Sequence, residues 1–446
     1  MAIKVAFVSL GCPKNQIDTE IMLAKLMDEG FEFVEEDIQA DVVVINTCAF
    51  IQQAKEEAIE NILDVAWLKK NRDLKGIVVT GCFAQRYPQD ILKDLPEVDA
   101  VVGVGDLDKI CEAVRAAYEN KGEKFMSVSA PENQALGGDR VVTTPDYTAY
   151  LKIAEGCDNR CSYCAIPDIR GAFRSRPVQD IIEEAKTLYS LGARELCIVA
   201  QDTTRYGLDL YGKYALAELL EKLCTADDFK FEWIRLMYCY PDKITDELVD
   251  VMAKYDCIAK YIDLPIQHID DKILKDMNRH GTCADIKSAI KKLRDKMPNI
   301  TIRTTVIVGF PGENGTQFEN LANYVKEARF DRLGVFPYSR EEGTAAYSMK
   351  NQISNAKKQE RQEIISEIQY QINYELQEKK IGSVIKVLCE QFDPVAECYC
   401  GRSESDAPEV DTKVFFSAER KVEPGEFVNV RIEEVMEYDL IGSMEE

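Results

Sequence analysis

Over the first 130 or so residues, short apolar runs alternate with amphipathic segments. Residues 4–10, 41–46 and 76–80 are continuous runs rich in Val and Ile, the pattern of strands buried on both faces of a parallel sheet. Between them, residues 16–29 and 52–70 place apolar side chains at helical spacing. This alternation predicts an open α/β sheet. A polar stretch at 130–144 has the composition of a linker. Beyond it, strand-like runs at 150–154, 195–200, 232–238, 261–265, 301–308 and 332–337 are separated by helical segments at 178–191, 215–225, 246–254, 283–296 and 315–328. Six such units predict a partial (β/α)6 barrel with its chemistry at the C-terminal ends of the strands. A long polar helix near 356–380 then leads to strands at 384–389, 413–416 and 427–433, with Pro424-Gly425 as a turn signal. These predict a small all-β barrel. The expected domains are therefore 1–130, 143–378 and 379–446, an α/β chain with a β-barrel at its end.

Charge narrows the choice of partners. The chain holds 55 Lys and Arg against 78 Asp and Glu, a net charge of −23. Phosphates would be repelled, so nucleic acid is disfavoured as a direct substrate and a basic protein is the better match. Acidity that merely keeps the chain soluble is the plain alternative. Residues 1–10 lack the charged start, long apolar core and cleavage site of a signal peptide. No apolar run approaches the roughly 20 residues that span a bilayer, so no membrane association is expected. A reducing, cytoplasmic setting follows, and there the 15 cysteines point to metal or catalysis rather than disulfides.

The densest chemistry is Cys157-Asp158-Asn159-Arg160-Cys161-Ser162-Tyr163-Cys164. Three thiolates this close in a loop suit three irons of a four-iron cubane, leaving the fourth iron open for another ligand. Zinc sites usually use two separated pairs closed by Cys or His. No fourth ligand lies nearby, since the only histidines are His268 and His280. A second set, Cys12, Cys48 and Cys82, repeats one placement: each comes just after an expected strand. In a parallel sheet those strand ends share one edge, so thiols distant in sequence meet in space and suit a second cluster. Three buried core cysteines are the alternative. The other nine cysteines show no such pattern, with Cys398 and Cys400 a weak exception.

The cysteine loop, standing after a strand and before a barrel, resembles the radical S-adenosylmethionine (SAM) superfamily. With the cysteine-bearing first domain and the terminal barrel, essentially the whole chain is similar to the methylthiotransferases of that superfamily, whose terminal module is a TRAM domain. One branch acts on tRNA adenosines. The other thiomethylates the β-carbon of an aspartate in small-subunit ribosomal protein 12. The runs Ser9-Leu10-Gly11-Cys12-Pro13-Lys14-Asn15, Gln201-Asp202-Thr203-Thr204-Arg205-Tyr206-Gly207, Leu264-Pro265-Ile266-Gln267-His268 and Glu437-Tyr438-Asp439-Leu440 look like the second branch. The charge of residues 381–446 agrees with it: 6 Lys and Arg against 16 Asp and Glu, a net of −10. A barrel that grips tRNA should be basic, whereas this one suits a basic ribosomal protein.

The resemblance implies two [4Fe-4S] clusters and SAM. The cluster on Cys157, Cys161 and Cys164 would bind SAM and cleave it to methionine and a 5′-deoxyadenosyl radical. That radical would take the β-hydrogen of the target aspartate. The cluster on Cys12, Cys48 and Cys82 would supply the sulfur, methylated by a second SAM, with an unidentified electron donor. Replacing an unactivated C–H bond needs such cofactor chemistry, since no side-chain acid or base removes that hydrogen.

Lesser expectations concern SAM contacts. Gly309 and Pro311, in the Val308-Gly309-Phe310-Pro311-Gly312-Glu313 run, would let the backbone approach SAM, with a plain strand-to-helix turn as the alternative. Arg303 would hold a carboxylate bidentately or form a buried ion pair. Gln201 and Asp202 would face the ribose, and Tyr163 would shield the cluster or stack on adenine. His268 is read as hydrogen-bonding rather than catalytic. The basic run 170–176 would meet SAM or substrate, or else pair with local acids. Two rivals remain: a tRNA methylthiotransferase with the same clusters, and an iron–sulfur electron-transfer or assembly protein.

Overall fold

The computed structural model describes residues 2–119 and 121–445. Met1 and Glu446, the outer limits of the domains expected from sequence, lie outside them. Two compact units emerge. One comprises residues 1–144, 152–176 and 339–347; the other comprises 145–151, 177–338 and 348–446.

The first unit is built on a six-stranded sheet in the order Glu32–Phe33, Lys4–Ser9, Val42–Thr47, Gly76–Gly81, Ala100–Val102, Phe125–Ser127, every pair parallel. Val42–Thr47 and Gly76–Gly81 are buried along their whole length. Val43, Ile45, Ile77 and Val79 feed one core, while Val42, Val44 and Val78 feed the other. Alternate side chains point to opposite faces, so continuous apolar runs are what a sheet covered on both sides requires. Ala100–Val102 and Phe125–Ser127, at three residues each, are too short for any periodicity to announce.

The first helix, Pro13–Asp28, starts three residues before its apolar pattern does. Proline supplies the first helical residue, where a missing N–H costs nothing. The polar stretch 130–144 is not a loose linker. Arg140 donates to Glu20 at 2.7 Å, Gln134 to Asp18 at 2.8 Å and the Thr143 amide to Glu20 at 2.8 Å. Its polarity serves contacts to buried acids of the first helix.

In the second unit six strands run in chain order across one open sheet: Arg332–Pro337, Thr301–Val308, Ile258–Asp263, Trp233–Leu236, Glu195–Val199 and Thr148–Lys152. The first five pair in parallel. The expected partial barrel is thus present as an unclosed sheet. Helices Val178–Ser190, Leu216–Thr225, Asp246–Lys254, Cys283–Lys296 and Gly315–Ala328 connect the strands.

After the Asn355–Glu378 helix, five strands close a barrel in the order Val384–Asp393, Cys398–Ser403, Val414–Ser417, Asp439–Glu445, Phe427–Met436. Cys398–Ser403 and Asp439–Glu445 escaped the sequence reading because glycine interrupts their patterns. A Cβ on Gly401 would fall 2.3 Å from the Leu388 carbonyl, and one on Gly442 would fall 2.1 Å from that of Arg431. So small a barrel brings backbones too close for any side chain there.

The barrel is locked to the sheet beside it. Arg402 from the barrel donates to Glu195 at 2.6 Å, and Arg235 donates to the same carboxylate at 2.9 Å. Arg332 pairs with Asp406 at 2.6 Å, Tyr261 donates to Asp411 at 2.6 Å, and Trp233 meets Phe427 edge-on. Glu195, Trp233 and Arg332 open their strands, while Arg235 and Tyr261 lie further along theirs. Among the described residues no helix is long and apolar enough to cross a membrane.

Candidate functional site

All six cysteines singled out from sequence belong to the first unit. The strand order there reverses direction between Lys4–Ser9 and Val42–Thr47, and open parallel sheets bind ligands at such a reversal, beyond the C-terminal strand ends. Cys12 follows the first of these strands and Cys48 the second, while Cys82 follows the neighbouring Gly76–Gly81. Cys12 stands at the N-cap of the first helix and Cys82 begins the short Cys82–Arg86 helix.

Hydrogen bonds tie the three strand ends together. Asn15 donates to the Leu10 carbonyl at 2.7 Å and to that of Thr47 at 3.3 Å. Asn46 donates to the Asn15 carbonyl at 2.7 Å, and Thr47 to that of Thr80 at 2.5 Å. A Cβ on Gly11 would lie 2.9 Å from Cβ of Cys48, which shows how closely the first two cysteine-bearing turns approach. Burial, reinforced by the neighbouring Cys82 and Cys12, pushes the Cys48 thiol up to about 12. Burial also raises the Cys82 thiol, with Arg170 pulling the other way. Thiolates crowded out of water in this way need a positive centre among them. That donor set fits a cluster with one cysteine on each of three irons. Among the described residues no three Cys, His, Asp or Glu side chains are drawn together around a single metal ion.

Gly81 carries a specific burden. Its φ is +89°, and a Cβ would fall 2.2 Å from Oδ1 of Asn46 and 2.5 Å from the Thr47 carbonyl oxygen. Gly81→Ala is expected to cost about 2–4 kcal/mol, combining backbone strain with overpacking. Thermal unfolding against the parent chain measures the loss, and iron content after reconstitution should fall with it. A variant as stable as the parent would contradict this packing.

The Cys157–Cys164 loop is held by its own backbone. The Cys157 amide donates to the Gly171 carbonyl at 3.1 Å, the Cys164 amide to that of Cys161 at 3.0 Å, and the Ile166 amide to Sγ of Cys164 at 3.4 Å. All three cysteines are half-buried, open enough for an iron to take an outside ligand. The residue segment 339–347 braces this unit: Glu341 meets Lys55 and Arg86, each at 2.9 Å, and the Ala346 amide donates to the Ser162 carbonyl at 2.7 Å.

Beside Cys82 lies a buried charge network that the sequence reading did not single out as a site. Lys152 donates to Asp18 at 2.9 Å and to Glu155 at 2.8 Å. Arg170 donates to Asp18 at 2.5 Å, to Oδ1 of Asn15 at 2.9 Å and to Sγ of Cys82 at 3.3 Å. The signal was present: Lys152 and Glu155 interrupt an apolar strand run just before the cysteine loop. Of the basic run, Arg170 pairs with acids, whereas the other two arginines reach backbone carbonyls. Arg174 donates to the carbonyls of Glu132 and Gln134, and Arg176 to that of Lys152.

Most residues expected to contact SAM lie in the second unit, and Tyr163 lies in the first. Arg303 takes the ion-pair alternative, 2.9 Å from Asp263 and 3.6 Å from Asp411 of the barrel segment. Gly309 (φ +71°) donates its amide to Glu313 at 2.6 Å, and a Cβ there would strike Cγ of Lys358 at 2.4 Å. Those contacts are those of a strand-to-helix turn, which Pro311 continues toward the Asn314-capped helix. Gln201 and Asp202 stand just past the C-terminal end of Glu195–Val199, where Asp202 accepts from Thr204 at 2.6 Å. Tyr163 lies half-buried in the cysteine loop. His268 is fully buried, its Nδ1 accepting from the Asp270 amide at 3.0 Å. Burial depresses it to about 4, so it stays neutral near pH 7.

The model of the uncharacterized protein family UPF0004 matches residues 4–103, that of the Radical SAM superfamily residues 151–325, and that of the TRAM domain residues 381–444. Ribosomal protein uS12 methylthiotransferase RimO of Desulforamulus reducens is 46% identical over 441 residues, 99% of each chain. The RimO of Caldanaerobacter subterraneus is 49% identical over 439 residues, 98% of this chain and 99% of the relative. That of Clostridioides difficile is 46% identical over 448 residues, 99% of each. Among solved structures, the radical SAM methyltransferase TsrM of Kitasatospora setae, with cobalamin and a [4Fe-4S] cluster bound, superposes with a TM-score of 0.57 at 16% identity, over 78% of this chain and 77% of TsrM. At that identity the likeness concerns the fold alone.

Proposed function

The chain belongs to the ribosomal protein uS12 methylthiotransferase (RimO) family, and we propose that it transfers a methylthio group to the β-carbon of an aspartate in that small-subunit ribosomal protein. Radical SAM chemistry, with SAM and an iron–sulfur cluster as cofactors, follows from the superfamily. The finer reading is two clusters, one on Cys157, Cys161 and Cys164 and one on Cys12, Cys48 and Cys82.

One observation carries it: both cysteine triads belong to one compact unit, and Arg170, six residues beyond Cys164, reaches Sγ of Cys82 at 3.3 Å. When bound, the cofactors supply the radical that removes the hydrogen and the sulfur that replaces it. The chain's own residues tie the cysteine-bearing strand ends together, brace the cysteine loop with backbone hydrogen bonds and supply Arg170 as compensating charge. We retain Gln201 and Tyr163 as SAM contacts. Gly309 and Pro311 shape a turn, and Arg303 keeps its carboxylate partners.

The charge of the terminal barrel supports a basic partner, though less than a count implies. Asp406, Asp411 and Glu390 are spent on Arg332, Tyr261 and Arg402. Glu397, Glu409, Glu419, Glu434 and Glu437 stay exposed and would attract a Lys- and Arg-rich protein. We propose a ribosomal protein or the ribosome as partner, a separate electron donor and no nucleic-acid substrate.

Anaerobically reconstituted protein should add a methylthio mass to uS12 and leave tRNA unmodified when both are offered with SAM and a reductant. Modification of tRNA alone would overturn the choice of substrate. SAM left uncleaved would point instead to an electron carrier.

A further inference from the structure

We propose that Arg170 is a positioning residue that raises the reduction potential of the cluster held through Cys82 and fixes the cysteine loop against it. This assignment rests on the reading that Cys12, Cys48 and Cys82 hold a second iron–sulfur cluster. Arg170 ends the short Ile166–Arg170 helix, whose Ala165 and Ile169 pack into the same core as Cys82, Phe83 and Ala84. The chain between Cys164 and Arg170 is therefore a packed strut rather than a tether.

The guanidinium at its end is planar and is gripped on both sides. Nη1 is set on Asp18 at 2.5 Å, while Nη2 is set on Asn15 at 2.9 Å and on Sγ of Cys82 at 3.3 Å. Asp18 is itself held by Lys152 at 2.9 Å and Gln134 at 2.8 Å. With every partner buried, the fork has no freedom to turn away from the sulfur.

The physical effect follows from charge. Reduction adds one electron to a cluster, and part of that charge resides on the cysteine sulfurs. An N–H donor aimed at such a sulfur in a low-dielectric site binds the reduced form better and raises the potential. Arg170 and Lys152 balance Asp18 and Glu155, so loss of Arg170 also leaves net negative charge beside Cys82. Both effects act in the same direction. A purely structural role, holding Asp18, would change stability and leave the potential where it was.

The test uses the full chain carrying Cys157→Ala, Cys161→Ala and Cys164→Ala, so that any cluster signal comes from the other triad. Iron content and a redox titration followed by electron paramagnetic resonance are compared with and without Arg170→Gln or Arg170→Lys. Arg170→Gln should keep its iron and show a roughly tenfold smaller reduced-to-oxidised ratio at fixed potential, a fall of about 59 mV for one electron. Arg170→Lys keeps the charge but cannot span Asp18 and the sulfur together, so it should fall in the same direction by less. An unchanged midpoint in both variants overturns the assignment. If circular dichroism shows Arg170→Gln unfolded, Arg170→Lys decides alone, and an unchanged midpoint there overturns it equally. A parent chain that binds no cluster would sink the two-cluster reading, and the assignment with it.

Discussion

Replacing Cys161 by alanine is expected to abolish reductive cleavage of SAM, lowering 5′-deoxyadenosine formation by more than about 100-fold. Outer-shell partners of a metal site typically cost 10–100-fold, and a direct ligand should cost more. The loop offers no substitute. The remaining histidines, His268 and His280, lie far along the chain, and His268 is buried with its Nδ1 already accepting from the Asp270 amide. Cys161 takes part in the loop's backbone bonds through its carbonyl, which alanine keeps, so the substitution should leave the fold intact. Cys82→Ala gives the contrast: SAM cleavage persists while methylthio transfer is lost. The measurement is chromatography of 5′-deoxyadenosine alongside mass spectrometry of uS12. Cys161→Ala turning over SAM above about a hundredth of the parent rate would break the assignment of the loop.

The second large effect lies far from the cysteines. Arg402→Met is expected to destabilise the unit containing the barrel by about 3–5 kcal/mol, the usual cost of orphaning one side of a buried pair. Arg402 and Glu195 are both fully buried. Burial by itself would raise the Glu195 carboxyl, but Arg402 and then Arg235 override it and hold it at about 2, against an ordinary 4.5. The sign of the pH dependence follows. A depressed carboxyl contributes its stability fully above about pH 4.5 and loses it as pH falls from there toward 2. Without Arg402 the folded carboxyl should titrate nearer its ordinary value, because Arg235 alone compensates the charge, so the acid-limb loss should be smaller and end at a higher pH. Urea unfolding at pH 7 and across the acid limb tests both statements. A variant with the parent midpoint at pH 7 would show that the lock contributes nothing to stability.

Much of this molecule is legible from pattern. The Val- and Ile-rich runs ending before Cys12, Cys48 and Cys82 read as buried parallel strands because only such strands tolerate apolar residues on both faces. The cysteine placement then followed from topology. The missed elements have local causes: two strands of only three residues, two barrel strands interrupted by Gly401 and Gly442, and a helix opened by Pro13. The polar stretch 130–144 looked like a linker because composition records polarity and not its partners, which are Asp18 and Glu20 of the first helix. The same blindness affected Arg303 and the 170–176 run, whose alternatives depend on where acids fall in space.

By itself the sequence determined the three-part order, the two cysteine triads and the acidic terminal segment. These are properties of periodicity, spacing and count, which a linear chain carries without folding. Only the tertiary structure decided that both triads share one compact unit, that Arg170 touches Cys82 and that much of the barrel's acid is spent on Arg332, Tyr261 and Arg402. The reason is physical: the energy of a charge depends on its distance to other charges and on the water excluded around it, and neither quantity exists until the chain has folded.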